Sequence, residues 1–185
     1  MIVRGETPRS AEASATPQAP AANLALTGTG YRWFGLDNAT ASNHQSLAPA
    51  INDSNHLHNI VLTGKASDVA NAYEATGVIW SIAQSISKVT FTNGSFNTSS
   101  FSGVFDQKFG LQTTTDGTTW TTVANWSVSP AYRYNLAAAA GITYSFTGPA
   151  RSVRGFRIIG QVHSFNGKDS WYGSATEVQA FSMTP

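Results

Sequence analysis

The side chains suited to recognising another molecule are gathered in two aromatic and polar stretches, with few carboxylates and histidines around them. Phe165-Asn166-Gly167-Lys168-Asp169-Ser170-Trp171-Tyr172-Gly173 is punctuated by glycine and aspartate, which marks a loop. Trp171 and Tyr172 have no strand alternation to join there, so their rings are available as a flat apolar platform. Asn166 and Lys168 beside them supply hydrogen bonds. A sugar wants this combination, with an aromatic face against the pyranose C–H groups and polar side chains for the hydroxyls. Tyr31-Arg32-Trp33-Phe34-Gly35-Leu36-Asp37-Asn38 reads as a second such loop, able to sit at the same end of a domain. Packing inward is the competing use of these aromatics, for Tyr172 above all. Trp80 and Trp120 fall on strand patterns and are expected in the core.

The histidines are His44, His56, His58 and His163. On a strand, His56-x-His58 would put two imidazoles on one face, the beginning of a zinc site, but no third ligand has a fitting position. Two exposed histidines on a polar loop are the commoner case, with sugar hydroxyls as the alternative use of His44 and His58. Nucleophilic catalysis has no motif to use: there is no Gly-x-Ser-x-Gly, no phosphate-cradling glycine loop and no cysteine. Glycoside hydrolysis needs two opposed carboxylates at a set separation. The carboxylates after residue 22 are Asp37, Asp53, Asp68, Glu74, Asp106, Asp116, Asp169 and Glu177, several of them in turns, so catalysis is not expected. Glu177 stands out within an apolar strand pattern, where a carboxylate needs a partner.

Composition narrows the field further. Charged residues make up 11% of the 185-residue chain, against roughly 25% in an average soluble protein. Thr, Ser, Asn and Gly fill the polar positions instead, which suits strands and turns better than helices. A net charge of +1, from 11 basic and 10 acidic residues, gives no footprint for nucleic acid or anionic membrane. The one close basic group is Arg151, Arg154 and Arg157. With no cysteine there is neither a disulfide framework nor a thiolate metal site. No apolar run approaches the ~20 residues of a transmembrane helix. The first residues lack a signal peptide's apolar core, so an excised module or processed chain is expected, with export inferred from composition.

These side chains must be held by short strands. Residues 1–22, rich in Pro, Ala, Ser and Thr from Gly5 onward, cannot build a core and read as a linker or tail, with 23–185 as the domain. A linker there implies something before it, such as a catalytic domain; an ordinary frayed terminus is the less favoured alternative. Strand-like runs cover 23–27, 59–63, 77–82, 87–92, 109–114, 119–123, 142–146, 153–162 and 176–181, with clean alternation at Val89/Phe91 and Ile142/Tyr144/Phe146. Asp116-Gly117 between two runs signals a hairpin. Leu136–Ala140, ended by Gly141, is helix-like, and 67–74 could form a helical turn. The pattern predicts an all-β, jelly-roll β-sandwich.

The order of segments resembles the coagulation factor 5/8 type C, or discoidin, domain, and within it the family 32 carbohydrate-binding modules. The pieces that carry the resemblance run from 23 to 181: Asn23-Leu24-Ala25; Ala50-Ile51-Asn52-Asp53-Ser54-Asn55; Val78-Ile79-Trp80-Ser81-Ile82 with Ile86-Ser87-Lys88-Val89; Leu111 through the Asp116-Gly117 turn to Trp120; Val153–Ile158; and Ala175-Thr176-Glu177-Val178-Gln179-Ala180-Phe181. Ser54 stands where the family has glycine, and 55–74 is longer and more polar than usual. The resemblance implies a galactose-binding-domain-like sandwich and a structural Ca²⁺ between the Asp53 turn and the last strand. Asp53 and Glu177 would be carboxylate ligands, with Ser54, Asn55 and Ala175 giving further oxygens; hard cations take such mixed oxygen sets. It also implies a secreted, non-catalytic module that attaches a protein or a neighbouring enzyme to a glycan or polysaccharide. The rival implication is a protein- or lipid-binding discoidin adhesion domain, of which Trp171 with Lys168 is a thin version.

Overall fold

The computed structural model describes residues 21–35, 51–52, 60–61, 73–99, 103–162 and 173–182. Among them are eight strands: β1 (Thr29–Gly35), β2 (Ile60–Val61), β3 (Tyr73–Asn93), β4 (Phe105–Thr114), β5 (Thr121–Thr122), β6 (Ser127–Ser129), β7 (Thr143–Val162) and β8 (Ser174–Phe181). The seven strand-to-strand pairings among the described residues are antiparallel, as expected for a sandwich joined by hairpins and returns.

Two long strands make the frame. β3 and β7 pair along nearly their whole length, Tyr73 opposite Gln161 and Thr92 opposite Thr143, and fold over together in the middle. Register shifts between Ile79 and Gln84 and between Ile86 and Lys88 mark the corner, where strands change layer through bulges. The sequence suggested two runs in each of these strands, because the corner residues Ser81 to Ala83 and Pro149 to Ala150 are exposed and break the alternation. One layer holds β1, the first half of β3, the second half of β7, β4 and β5; the other holds the remaining halves with β2, β8 and β6. Gly77 is required by this pairing. A Cβ there would lie 1.9 Å from the Phe156 carbonyl oxygen of β7.

Alternation then sorts the side chains. Val78, Trp80, Leu111, Phe156 and Ile158 point inward from the first layer and Val89, Phe91, Tyr144, Phe146, Val178 and Ala180 from the second, forming one buried core. Trp80 is core, as predicted, and its indole N–H donates to the Leu24 carbonyl at 3.0 Å. The Asp116-Gly117 hairpin is also as predicted. Gly117 has φ +86°, and Asp116 Oδ1 accepts from the amides of Thr118 and Thr119, both at 2.7 Å. Three local expectations change. Residues 24–27 form a 3-10 helix capped by Asn23 rather than a strand; Leu136–Ala139 is likewise 3-10. Glu74, expected in a helical turn, is in β3, and the rest of 67–74 up to residue 72 lies outside the described residues.

Candidate functional site

Strand ends rather than strand faces define the candidate site. Gly35 at the end of β1 pairs with Tyr73 at the start of β3, and Tyr73 pairs with Gln161 near the end of β7. Phe105 at the start of β4 pairs with Val162, and Gly103 bridges to Gly173 just before β8. Because β3 and β7 fold over, Asn93 and Thr143 return to this same end. The chain therefore leaves for 36–50 and 163–172 from one end of the sandwich. Polar contacts fix these ends: the Gly173 amide donates to the buried Glu74 carboxylate at 2.6 Å, and Ser174 Oγ to the Gly103 carbonyl at 2.6 Å.

At this end the first half of β4 is irregular. Register shifts fall between Phe105 and Gln107 and between Gln107 and Gly110, and Lys108 adopts φ +56°, the described residues' one non-glycine in the left-handed region. The bulge turns Asp106, Gln107 and Lys108 into a concavity of about 510 Å³ that Tyr134 also lines. Tyr134 is 49% exposed, and its ring meets Tyr132 edge-on at 5.2 Å. Tyr132 is anchored from behind. It stacks on Phe109 at 3.8 Å, its hydroxyl donates to Asn93 Oδ1 at 3.2 Å, and it accepts the Phe105 amide at 3.0 Å. Burial pushes the Tyr132 hydroxyl well above the usual phenol range, with the nearby Asp106 charge acting in the same direction.

The sequence-predicted residues separate into three groups. Asn166, Lys168, Trp171, Tyr172, His44 and His58, the metal candidates Asp53, Ser54 and Asn55, and the other histidines His56 and His163 lie outside the described residues. Tyr31, Arg32 and Trp33 require correction. They are not in a loop but on β1, opposite Gly77, Thr76 and Ala75. Tyr31 and Trp33 are 2% and 1% exposed, packed with Trp120, Ala75 and Ile159 on the outer face of the first layer. The reason is Arg157, whose guanidinium lies 4.5 Å from the Trp33 ring and 4.6 Å from the Trp120 ring. It donates to Gln112 Oε1 at 2.7 Å and to the Tyr31 hydroxyl at 3.4 Å, while Tyr31 stacks on Trp120 at 5.5 Å. Desolvation lowers the Arg157 pKa and raises that of Tyr31, so the faces of two tryptophans take over part of water's role around the cation. Trp120 is core as expected, though of this outer cluster.

Ala175 and Glu177 lie on β8, both buried. The next residue, Val178, donates its amide to the Ile51 carbonyl at 2.8 Å. Asn52 is tied down by its side-chain amide, which donates to the carbonyls of Ala25 and Gly28. The segment at Ile51 and Asn52 is therefore held against β8 and the first 3-10 turn.

Tyr134 and the Asp106–Lys108 bulge were not singled out from the sequence. Tyr132 and Tyr134 are two residues apart, a spacing that on an extended segment puts both rings on one face and does not mark either as exposed, and a bulge leaves no periodic signal.

No protein-family model and no curated protein matches the chain. Solved structures do. Chitosan-binding module 1 from a chitosanase/glucanase of Paenibacillus sp. IK-5 is 16% identical, with a TM-score of 0.52 over 87% of this chain and 99% of that one. The Clostridium perfringens module CpGH89CBM32-5, solved in complex with GalNAc-β-1,3-galactose, is 14% identical with a TM-score of 0.50, covering 83% and 95%. A Streptococcus pneumoniae β-galactosidase structure is 12% identical with a TM-score of 0.57, covering 85% and 92%. At these identities what is shared is the fold. The chain is a discoidin-like β-sandwich, with the fold of the family 32 carbohydrate-binding modules.

Proposed function

We propose that this chain is a secreted, non-catalytic carbohydrate-binding module that holds a neighbouring catalytic domain on a glycan or polysaccharide. The observation that carries the reading is the convergence of strand ends at one end of a fold shared with saccharide-binding modules. Trp171 and Tyr172 are assigned the stacking platform, with Asn166, Lys168, His44 and His58 taking hydroxyls. Shallow polar sites of this kind gain little beyond the cost of association, so affinity for a single sugar should be modest. A structural Ca²⁺ is proposed on Asp53 and Glu177, with Ser54, Asn55 and Ala175 completing the oxygen set. What supports such an ion is a buried carboxylate on β8, Glu177, with backbone contacts that keep Ile51 alongside that strand.

A glycan array, followed by titration calorimetry on the best ligand, tests the proposal. Trp171→Ala should weaken binding by about tenfold, corresponding to ~1.4 kcal/mol, with the melting temperature little changed. The purified chain should show no turnover of polysaccharides, esters or phosphates. Reproducible turnover abolished by changing one carboxylate would overturn the non-catalytic assignment. Binding to lipid vesicles with no response on the array would favour the adhesion reading instead.

A further inference from the structure

We propose that the concavity between the Asp106–Lys108 bulge and Tyr134 is a saccharide subsite for a neutral pyranose presenting a vicinal diol. The inference rests on the reading of the chain as a carbohydrate-binding module, and adds a site and a ligand class to it. The other tyrosines of its aromatic cluster, Tyr132 and Tyr144, are held in the fold by stacking and burial, but Tyr134 leaves half its surface to solvent. A mobile exposed ring would lose freedom on binding and so gain little. Tyr134 instead rests against Tyr132, and Tyr132 is fixed by Phe109, Asn93 and the Phe105 amide, so the platform is already in place.

The opposite wall carries the second argument. Lys108 holds a left-handed conformation (φ +56°) that glycine would adopt at lower cost, within a bulge that breaks the β4 ladder twice. Strain of this kind in a non-glycine residue points to a requirement for its side chain, and bulges re-aim side chains beside binding sites. Here the bulge delivers a carboxylate, a carboxamide and an ammonium group from successive residues to one concavity. Sugar hydroxyls donate and accept together, so adjacent hydroxyls are read by an acceptor, Asp106, next to donors, Gln107 and Lys108. Asp106 and Lys108 carry opposite charges that offset one another, so the concavity has no net charge to select an ionised sugar, and the neutral ring is the class taken. The volume, about 510 Å³, falls inside the roughly 300–1,000 Å³ of small-ligand sites.

The test is titration calorimetry of the full chain with galactose, glucose and mannose and with glucosamine and glucuronic acid, alongside thermal melts. The wild type should prefer a neutral sugar. Tyr134→Ala should weaken that binding by about tenfold, the scale of one lost stacking face, with the melting temperature held. Lys108→Gly relieves the backbone strain and removes the ammonium, so it should raise the melting temperature while lowering affinity. A purely structural lysine would not produce that opposite movement. If a sugar binds the wild type and both variants equally, the subsite is refuted while the module reading stands. Tightest binding of glucosamine or glucuronic acid overturns the ligand class. If no saccharide binds the wild type, here or on the array, the module reading itself fails and this inference with it.

Discussion

Arg157 shows how one residue can redirect a whole patch. It is fully buried on the outer face of the first layer, where an aliphatic residue would serve the packing, and it brings Trp33, Trp120, Tyr31 and Gln112 to itself. The two indole N–H groups are buried with no hydrogen-bond partner among the described residues, so the rings contribute through their faces rather than their edges. Truncation here should be severe. Trp120→Ala removes the ring that lies on both Tyr31 and Arg157 and should destabilise the protein by roughly 3–5 kcal/mol, the usual range for a large core aromatic. Denaturant titration reads this directly, and a loss below about 1 kcal/mol, ordinary for a surface change, would refute the packing role. At position 157 itself, replacing a buried charge with an apolar side chain of similar volume can be nearly neutral, whereas lysine keeps the charge without the planar guanidinium that spans two rings. Arg157→Met should therefore be tolerated better than Arg157→Lys; the reverse order in melting temperature would mean the cation, not the shape, holds the patch.

Legibility at the level of elements followed the physics of each segment. The Asp116-Gly117 hairpin was readable because its chemistry is local: a glycine at positive φ and a carboxylate accepting the next two amides. Those bonds hold the Asp116 carboxyl well below the usual carboxylate range. A depressed folded-state pKa contributes stability above the unfolded value, near 3.8, and loses it as pH falls toward the folded one. Asp116→Ala should thus melt lower than wild type at neutral pH, with the gap closing in acid below that value. A gap unchanged down to strongly acidic pH would show that the carboxylate's charge is not what closes the turn. The core strands were legible too, since Val89/Phe91 and Tyr144/Phe146 alternate cleanly. What failed was segments whose meaning is non-local. Tyr31-Arg32-Trp33 has the two-residue period of a strand, yet with Gly28, Gly30 and Gly35 around it the stretch resembles a loop, and nothing nearby in sequence announces Arg157. β6, at three residues, is too short to show a period, and it exists by pairing with β7. The Tyr134 concavity depends on a bulge in β4 meeting a chain segment more than twenty residues later, which no single-strand pattern records.

At the scale of the whole molecule, the folded-over β3–β7 pair is the rigid frame, and β8 closes the second layer against it. β8 is also where residues far apart in the chain must be held together. Asn23 Oδ1 accepts the Ala180 amide at 3.1 Å, the Ile51 carbonyl accepts the Val178 amide, and β2 adds Ile60 opposite Ala175. Each of these contacts joins the strand to a segment that brings little regular structure of its own, so a cation shared between Asp53 and Glu177 would act as a clamp on closure. Because the unfolded chain cannot assemble those ligands, binding would stabilise the native state by mass action, about 2.7 kcal/mol when free metal stands at a hundred times Kd. Excess EDTA should lower the melting temperature, and added Ca²⁺ should restore it. Glu177→Gln keeps the shape but removes the charge, so it should melt lower than wild type in Ca²⁺ and respond little to chelator. A wild-type melting curve unmoved by EDTA would eliminate the clamp. A Glu177→Gln variant that keeps the full chelator response would place the ion on other ligands.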